Sequence, residues 1–159
     1  MSFKKNLSYK AFSKSKFKSI KHSTYFEVYD ELFSKYRNKK ITFVEIGILG
    51  GGSLFMWRNF FGPKARIIGI DLNPNAKKWA KYGFEIFIGD QSDINFWKRF
   101  KKKVGKIDII LDDGGHRYID QITSIECNLS NTKDNGLIVV EDTHTSYMNG
   151  FGDKKYSFI

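Results

Sequence analysis

Carboxylates and glycines recur in this sequence at one kind of place, immediately after short apolar runs. Asp112-Asp113-Gly114-Gly115-His116 follows the run Ile107 to Leu111, and Glu141-Asp142 follows Leu137 to Val140. If the two runs are neighbouring strands, Asp113, Glu141 and Asp142 come together as a cage of hard oxygen donors, which suits Mg²⁺ or a similar divalent ion. Three carboxylates that close repel one another unless a cation sits among them. Taken singly, each is also an ordinary turn-forming or helix-capping residue.

A second constellation lies nearer the N-terminus. Phe43-Val44-Glu45-Ile46-Gly47-Ile48-Leu49-Gly50-Gly51-Gly52-Ser53 follows an apolar run and opens a helical pattern. Glycines there let the backbone turn tightly and approach a ligand closely, though a simple strand-to-helix connection has the same composition. Asp71 closes the next apolar run, where a carboxylate can accept hydrogen bonds from both hydroxyls of a ribose.

The elements that must position these residues follow from periodicity. Candidate strands are Ile41 to Gly47, Arg66 to Asp71, Phe84 to Gly89, Ile107 to Leu111 and Leu137 to Glu141, alternating with helical segments, the pattern of βαβ units around a parallel sheet. Thr24 with Glu27 reads as a capping box for a helix whose stripe is Tyr25, Tyr29, Leu32 and Tyr36. Ser53 to Phe61 is a second helix, Asn73-Pro74 starts a third that Gly83 ends, and Ser92 is placed to cap one holding Phe96, Trp97 and Phe100. Asn135-Gly136 reads as a turn into the last strand, and Trp57 and Trp79 as core. In open parallel sheets the ligand crevice lies beyond the carboxyl ends of the strands, so the acids and glycines should converge on one rim.

The 159 residues suffice for one domain, and 41% hydrophobic with 16% aromatic content gives it a core. We expect residues 24–159 to form that domain and residues 1–23 a basic arm, mobile or ordering as a lid, since seven lysines fall between Lys4 and Lys21 with no clear period. The formal net charge of +10 reads as a lysine-rich solvated surface, with an anionic partner as the alternative. Cys127 is the only cysteine, which excludes an intrachain disulfide and a cysteine-based zinc site. There is no signal-peptide pattern, nor anything near the roughly 20 apolar residues that span a bilayer. The expectation is a cytoplasmic protein without a membrane span.

The glycine segment with Glu45 and Asp71 resembles class I S-adenosylmethionine-dependent methyltransferases, although Leu49 stands where that pattern has its middle glycine. With Leu54 to Trp57, Asp112 to His116 and Glu141 to Tyr147 added, the chain from about Tyr25 onward is similar to the macrocin O-methyltransferase and cephalosporin hydroxylase-like family. The resemblance implies a Rossmann-like α/β fold with about five parallel strands in the order 3-2-1-4-5 and flanking helices. The family's final two strands are missing, so an incomplete C-terminus is expected, with an exposed fifth-strand edge that favours association, possible as a homo-oligomer. It implies S-adenosyl-L-methionine held by Glu45, Gly47, Gly51, Ser53, Asp71, Asp90, Gln91 and Asp112. It further implies Mg²⁺, or another divalent cation, on Asp113, Glu141 and Asp142, and His116 as the general base that deprotonates a hydroxyl of a sugar or small natural-product-like acceptor. The alternative for His116 is a structural cap on the next helix, and His144 and Tyr147 are second choices as lining for an acceptor pocket. Two other functions compete. Nucleic-acid methylation is disfavoured because Asp112-Asp113-Gly114-Gly115 replaces the Pro-Pro-aromatic loop of base methyltransferases, and a non-catalytic cofactor-binding fragment would keep the fold without turnover.

Overall fold

The computed structural model describes residues 3–153 and 155–159. The apolar runs become β1 (Thr42–Ile46), β2 (Arg66–Asp71), β3 (Glu85–Ile88), β4 (Ile107–Asp112) and β5 (Thr132–Val140). Every neighbouring pair is parallel, in the order β3-β2-β1-β4-β5, the Rossmann-like arrangement expected. Successive side chains leave a strand on opposite faces. Phe43, Ile67 and Ile109 therefore enter one apolar layer and Val44, Ile68 and Ile110 the other, all buried. Cover on both faces is why the strands read as unbroken apolar runs.

The first layer is aromatic. Helices α2 (Tyr25–Phe33) and α3 (Gly52–Phe61) set Trp57 and Phe61 on Phe43 at ring-centroid distances of 4.9 and 5.0 Å, with Tyr29 edge-on to Trp57 at 5.0 Å. Such pairs add about 0.5–1.5 kcal/mol each beyond the area they bury. The second layer is closed by α4 (Ile94–Val104), whose Phe96, Trp97, Phe100 and Val104 face the sheet while Lys102 and Lys103 face solvent. Helix α5 (Tyr118–Asn128) precedes β5.

Local chemistry departs from expectation at four places. Thr24 makes no capping hydrogen bond and already has helical dihedrals. Asp93, not Ser92, caps α4, accepting from the Asn95 amide, because the Ser92 hydroxyl is spent on Asp90. Strand β5 begins at Thr132, ahead of Asn135-Gly136. The register jumps from Ile107 opposite Thr132 to Ile109 opposite Leu137, so the turn residues are extruded within the strand, Asn135 at φ 64°. Asn73, Pro74 and Gly83 do bound a helix, of 3₁₀ type, over Pro74–Tyr82.

The fourth departure is from the mobile arm, one of two expectations for the N-terminal stretch, the other being a lid; residues 1 and 2 lie outside the described residues. The stretch carries α1 (Leu7–Ser13), with Ser8 and Ala11 buried. Its aromatic residues lack a period because each packs on a different element. Tyr9 and Phe12 meet Phe26 of α2 at 5.2 and 5.3 Å, and Phe17 meets Phe55 of α3 at 4.9 Å and Trp79 at 4.7 Å. The lysines between them, Lys10, Lys14, Lys16 and Lys18, point outward. Asn6 at the N-cap of α1 makes no capping hydrogen bond, and Asp30 of α2 supplies the cap instead, accepting from the amides of Leu7 at 2.6 Å and Ser8 at 2.8 Å. Among the described residues no helix is long and apolar enough to cross a membrane.

Replacing the cap carboxylate by Asp30→Ala should cost about 1 kcal/mol in urea unfolding. Amide exchange should speed up over residues 7–13 and not in the sheet. Unchanged exchange in α1 would show that Asp30 does not anchor it.

Candidate active site

A cavity of about 960 Å³ opens over the carboxyl ends of the strands, and every strand end contributes to its wall: Gly47, Asp71, Gly89-Asp90, Asp113 and Glu141. Ser19, Ile20, Lys21 and His22 of the N-terminal segment line it as well. The volume is that of a small-molecule or cofactor site.

Gly47 turns the chain out of β1 at φ 80°, and a Cβ on it would stand 2.1 Å from the Asp113 carbonyl oxygen. That approach joins the glycine turn to the loop after β4. The next glycines serve the protein's own packing. Gly51, at φ 73°, lies against the Trp79 ring, and Gly52 lies beneath the carbonyls of Phe17 and Lys18. Gly51, expected to hold a cofactor, does not line the cavity. Leu49 sits at φ 40°, a left-handed position that explains why a glycine is expected there. Its side chain is 79% exposed and, with the 69% exposed Leu72, borders the cavity as apolar surface.

Asp71 ends β2 at the cavity wall and ties the turn to itself. Its Oδ2 accepts from the amides of Ile48 and Leu49 at 3.2 and 3.1 Å, and its Oδ1 from Asn73 at 2.8 Å. Asp90 accepts from the Ser92 amide and hydroxyl, which hold its carboxyl below the usual range. Gln91 bridges two loops: its Nε2 donates to both oxygens of Asp112 at 3.1 Å, and its Oε1 accepts from the Gly115 amide at 2.8 Å. Asp112 is buried behind the wall, and burial pushes its pKa up to about 6. Of the residues expected to contact a cofactor, Gly47, Ser53, Asp71, Asp90 and Gln91 line the cavity, while Glu45, Gly51 and Asp112 stand behind it.

Glu45 is wholly buried. Ser53 Oγ donates to it at 2.7 Å and Trp57 Nε1 at 3.0 Å, and Lys21 Nζ lies 3.4 Å away. The same ammonium donates to Asp113 Oδ2 at 2.6 Å and to the two oxygens of Glu141 at 3.1 and 3.2 Å. Burial alone would depress the Lys21 pKa; Glu45, Glu141 and Asp113 more than reverse that and raise it. Tyr29 donates to Glu141, and Tyr25 donates to Asp142 Oδ1 at 2.7 Å. The sequence pattern placed both tyrosines on an apolar stripe and said nothing of their hydroxyls. The available signal was the four-residue spacing of Tyr25 and Tyr29, which puts both hydroxyls on one face of the helix.

What these contacts leave open is a smaller set. Asp113, His116 and Asp142 each offer a ligand atom, all within 4.8 Å of one another. His116 Nε2 is 3.4 Å from Asp142 Oδ2 and 4.0 Å from Asp113 Oδ1. His116 holds φ 60°, a strained backbone for a non-glycine residue, and its buried Nδ1 has no hydrogen-bond partner. Two carboxylates facing a cavity, with an imidazole beside them, fit a divalent ion and a neighbouring base. Glu141, the other acid expected in that cage, is engaged by Lys21 and Tyr29. His144 is 64% exposed at the side chain and Tyr147 78% exposed, and neither lines the cavity.

No family model matches the chain. Among curated proteins it is 36% identical over 131 residues to mycinamicin VI 2''-O-methyltransferase of Micromonospora griseorubida, covering 78% of this chain and 32% of that protein. It is 34% identical over 131 residues to demethylmacrocin O-methyltransferase of Streptomyces fradiae, covering 78% and 33%. Among solved structures, the MycE methyltransferase of the mycinamycin pathway, in complex with Mg, S-adenosylhomocysteine and mycinamycin VI, superposes with a TM-score of 0.78 at 32% identity, over 95% of this chain and 39% of that one. The chain is a homologue of class I methyltransferases of the macrocin O-methyltransferase type. It spans about a third of the length of the curated relatives it matches. Similarity to these macrocin-type enzymes runs through the cavity-forming strands.

Gly47→Ala adds a left-handed penalty of roughly 1–2 kcal/mol to a backbone clash with Asp113, so its loss in chemical denaturation should exceed 2 kcal/mol on the order of magnitude of such strain. Gly50→Ala, whose Cβ would meet only the Lys18 carbonyl at 3.5 Å, should be nearly neutral. Equal effects of the two substitutions would contradict the close approach at Gly47.

Proposed function

We propose that this chain binds S-adenosyl-L-methionine in the strand-end cavity and, with Mg²⁺ or a similar ion, methylates a hydroxyl of a sugar or small natural-product-like acceptor in the cytoplasm. The observation that carries the reading is one cavity lined by two chemically different sets of residues: Asp71, the glycine turn and the exposed leucines Leu49 and Leu72 make up the first, and Asp113, His116 and Asp142 the second.

Asp71 is the acceptor for ribose hydroxyls, while Leu49 and Leu72 offer apolar surface that a bound adenosyl group would cover. Asp90 and Gln91 flank the adenine, and Glu45, Gly51 and Asp112 support the turn from behind. Asp113 and Asp142 are the charged ligands for the ion. A divalent cation held there would lower the pKa of an acceptor hydroxyl. His116, 3.4 Å from Asp142, would take the hydroxyl proton on its Nε2, and the cofactor would supply the methyl group, its carbon–sulfur bond breaking as the carbon–oxygen bond forms and S-adenosylhomocysteine leaving. The relatives' names support this reading: the two quoted above are O-methyltransferases, and the MycE complex contains Mg and S-adenosylhomocysteine.

Calorimetric titration of S-adenosyl-L-methionine into the native chain and into Asp71→Ala tests it. The native chain should bind, and the variant should bind about tenfold more weakly or worse, since hydrogen bonds to a charged group are worth roughly 1.5–3 kcal/mol. Because Asp71 also fixes the amides of Ile48 and Leu49, thermal unfolding of both proteins must accompany the titration. Absence of binding by the folded native chain would end the proposal.

A further inference from the structure

The buried lysine in the acid cluster has a place in the proposed site that simple neutralisation leaves unexplained. Lys21 has no exposed side-chain surface, and among the described residues it is the only lysine or arginine paired with Glu45, Asp113 or Glu141. Glu45 and Glu141 spend both oxygens inside the protein, Glu45 on Ser53, Trp57 and Lys21, and Glu141 on Lys21 and Tyr29. Asp113 alone is divided. Its Oδ2 receives Lys21 at 2.6 Å, while its Oδ1 faces His116 and belongs to the open set with Asp142.

One carboxylate therefore spans two cation positions. The first is filled by an ammonium with carboxylate oxygens at 2.6, 3.1, 3.2 and 3.4 Å. The second is the open position at Asp113 Oδ1 and Asp142 Oδ2, beside His116. Centres that hold two divalent ions place them about 3.5–4 Å apart, with shared oxygen ligands, and the arrangement here has that form with one ion replaced by a side chain. We propose that Lys21 is a built-in second cation: a positioning residue that holds Asp113 and Glu141 in place and limits the centre to a single divalent ion. This rests on the metal reading above.

The chemistry of an ammonium fits that role. It has three donors and no vacant coordination position, so it orients and neutralises carboxylates but cannot bind or polarise a substrate oxygen as a metal does. Fixed to the chain, it draws the Asp113 Oδ2 charge away from the open position, leaving Oδ1 as the ligand. Its oxygen shell is also one that a metal can inherit. Contractions from about 0.5 Å at Asp113 to about 1.3 Å at Glu45 bring the oxygens to divalent-cation distances of roughly 2.1 Å.

The test is the number of Mn²⁺ ions bound per chain, counted by equilibrium dialysis and by the manganese resonance spectrum, in native protein, Lys21→Met, Lys21→Arg and Lys21→Met combined with Glu141→Gln. Lys21→Met should bind one more Mn²⁺ than the native chain, with spin coupling where both positions are filled. Lys21→Arg should keep the native number, and adding Glu141→Gln should abolish the gain. The native number by itself tests the metal reading, whereas the difference between native and Lys21→Met tests Lys21. A folded Lys21→Met with the native number, or a gain that survives Glu141→Gln, would overturn the inference. If Lys21→Met unfolds without metal, millimolar Mn²⁺ should refold it, with a larger rise in Tm than native protein shows. Failure to refold overturns the inference too, because a vacated cation position must accept the ion.

Discussion

Strands that end side by side in a parallel sheet bring whatever acids they carry into one another's field, and β1, β4 and β5 carry Glu45, Asp113, Glu141 and Asp142 to one place. Glu45 and Glu141 are buried, where an unpaired charge costs several kcal/mol. The rest of the site is arranged around that constraint. Ser53, Trp57 and Tyr29 supply neutral donors, Lys21 supplies the charge, and Tyr25 steers Asp142. Burial pushes the Glu141 carboxyl upward, and the Lys21 ammonium beside it pulls it back.

This ties the N-terminal segment to the chemistry. Lys21 enters the cluster from a stretch whose backbone passes over Gly52, with Ser15 Oγ donating to the Gly52 carbonyl and Phe17 wedged against Phe55 and Trp79. The segment forms part of the cavity wall through Ser19 to His22. The glycine run thus has two uses. Gly47 and Gly50 face the cavity, and Gly51 and Gly52 make room for the protein's own Trp79 and N-terminal backbone.

The sheet was legible because its strands are covered on both faces and so appear as apolar runs, each punctuated by an acid or a glycine. The rim residues were legible for the same reason, since the end of a run is the end of a strand. Lys21 was not. A lysine among six others in a stretch without period reads as solvated surface, and its burial depends on carboxylates 24, 92 and 120 positions away in the chain. Tyr25 and Tyr29 were read by their rings alone, because periodicity reports where a side chain points and not what its hydroxyl reaches. Asn135-Gly136 misled in the opposite direction: turn chemistry was present, but β4 pairs with residues on either side of it, and pairing set the start of β5 at Thr132.

The central claim is that one cavity holds an adenosyl group at Asp71 and a divalent ion at the ends of β4 and β5. Crystals of the chain grown with S-adenosylhomocysteine and Mn²⁺, measured for anomalous scattering at the manganese edge, address both halves together. The account predicts adenosyl density beside Asp71, Leu49 and Leu72 and a manganese peak between Asp113 and Asp142, next to His116. Ligand density elsewhere, or a cavity empty of both at saturating concentrations, would contradict it.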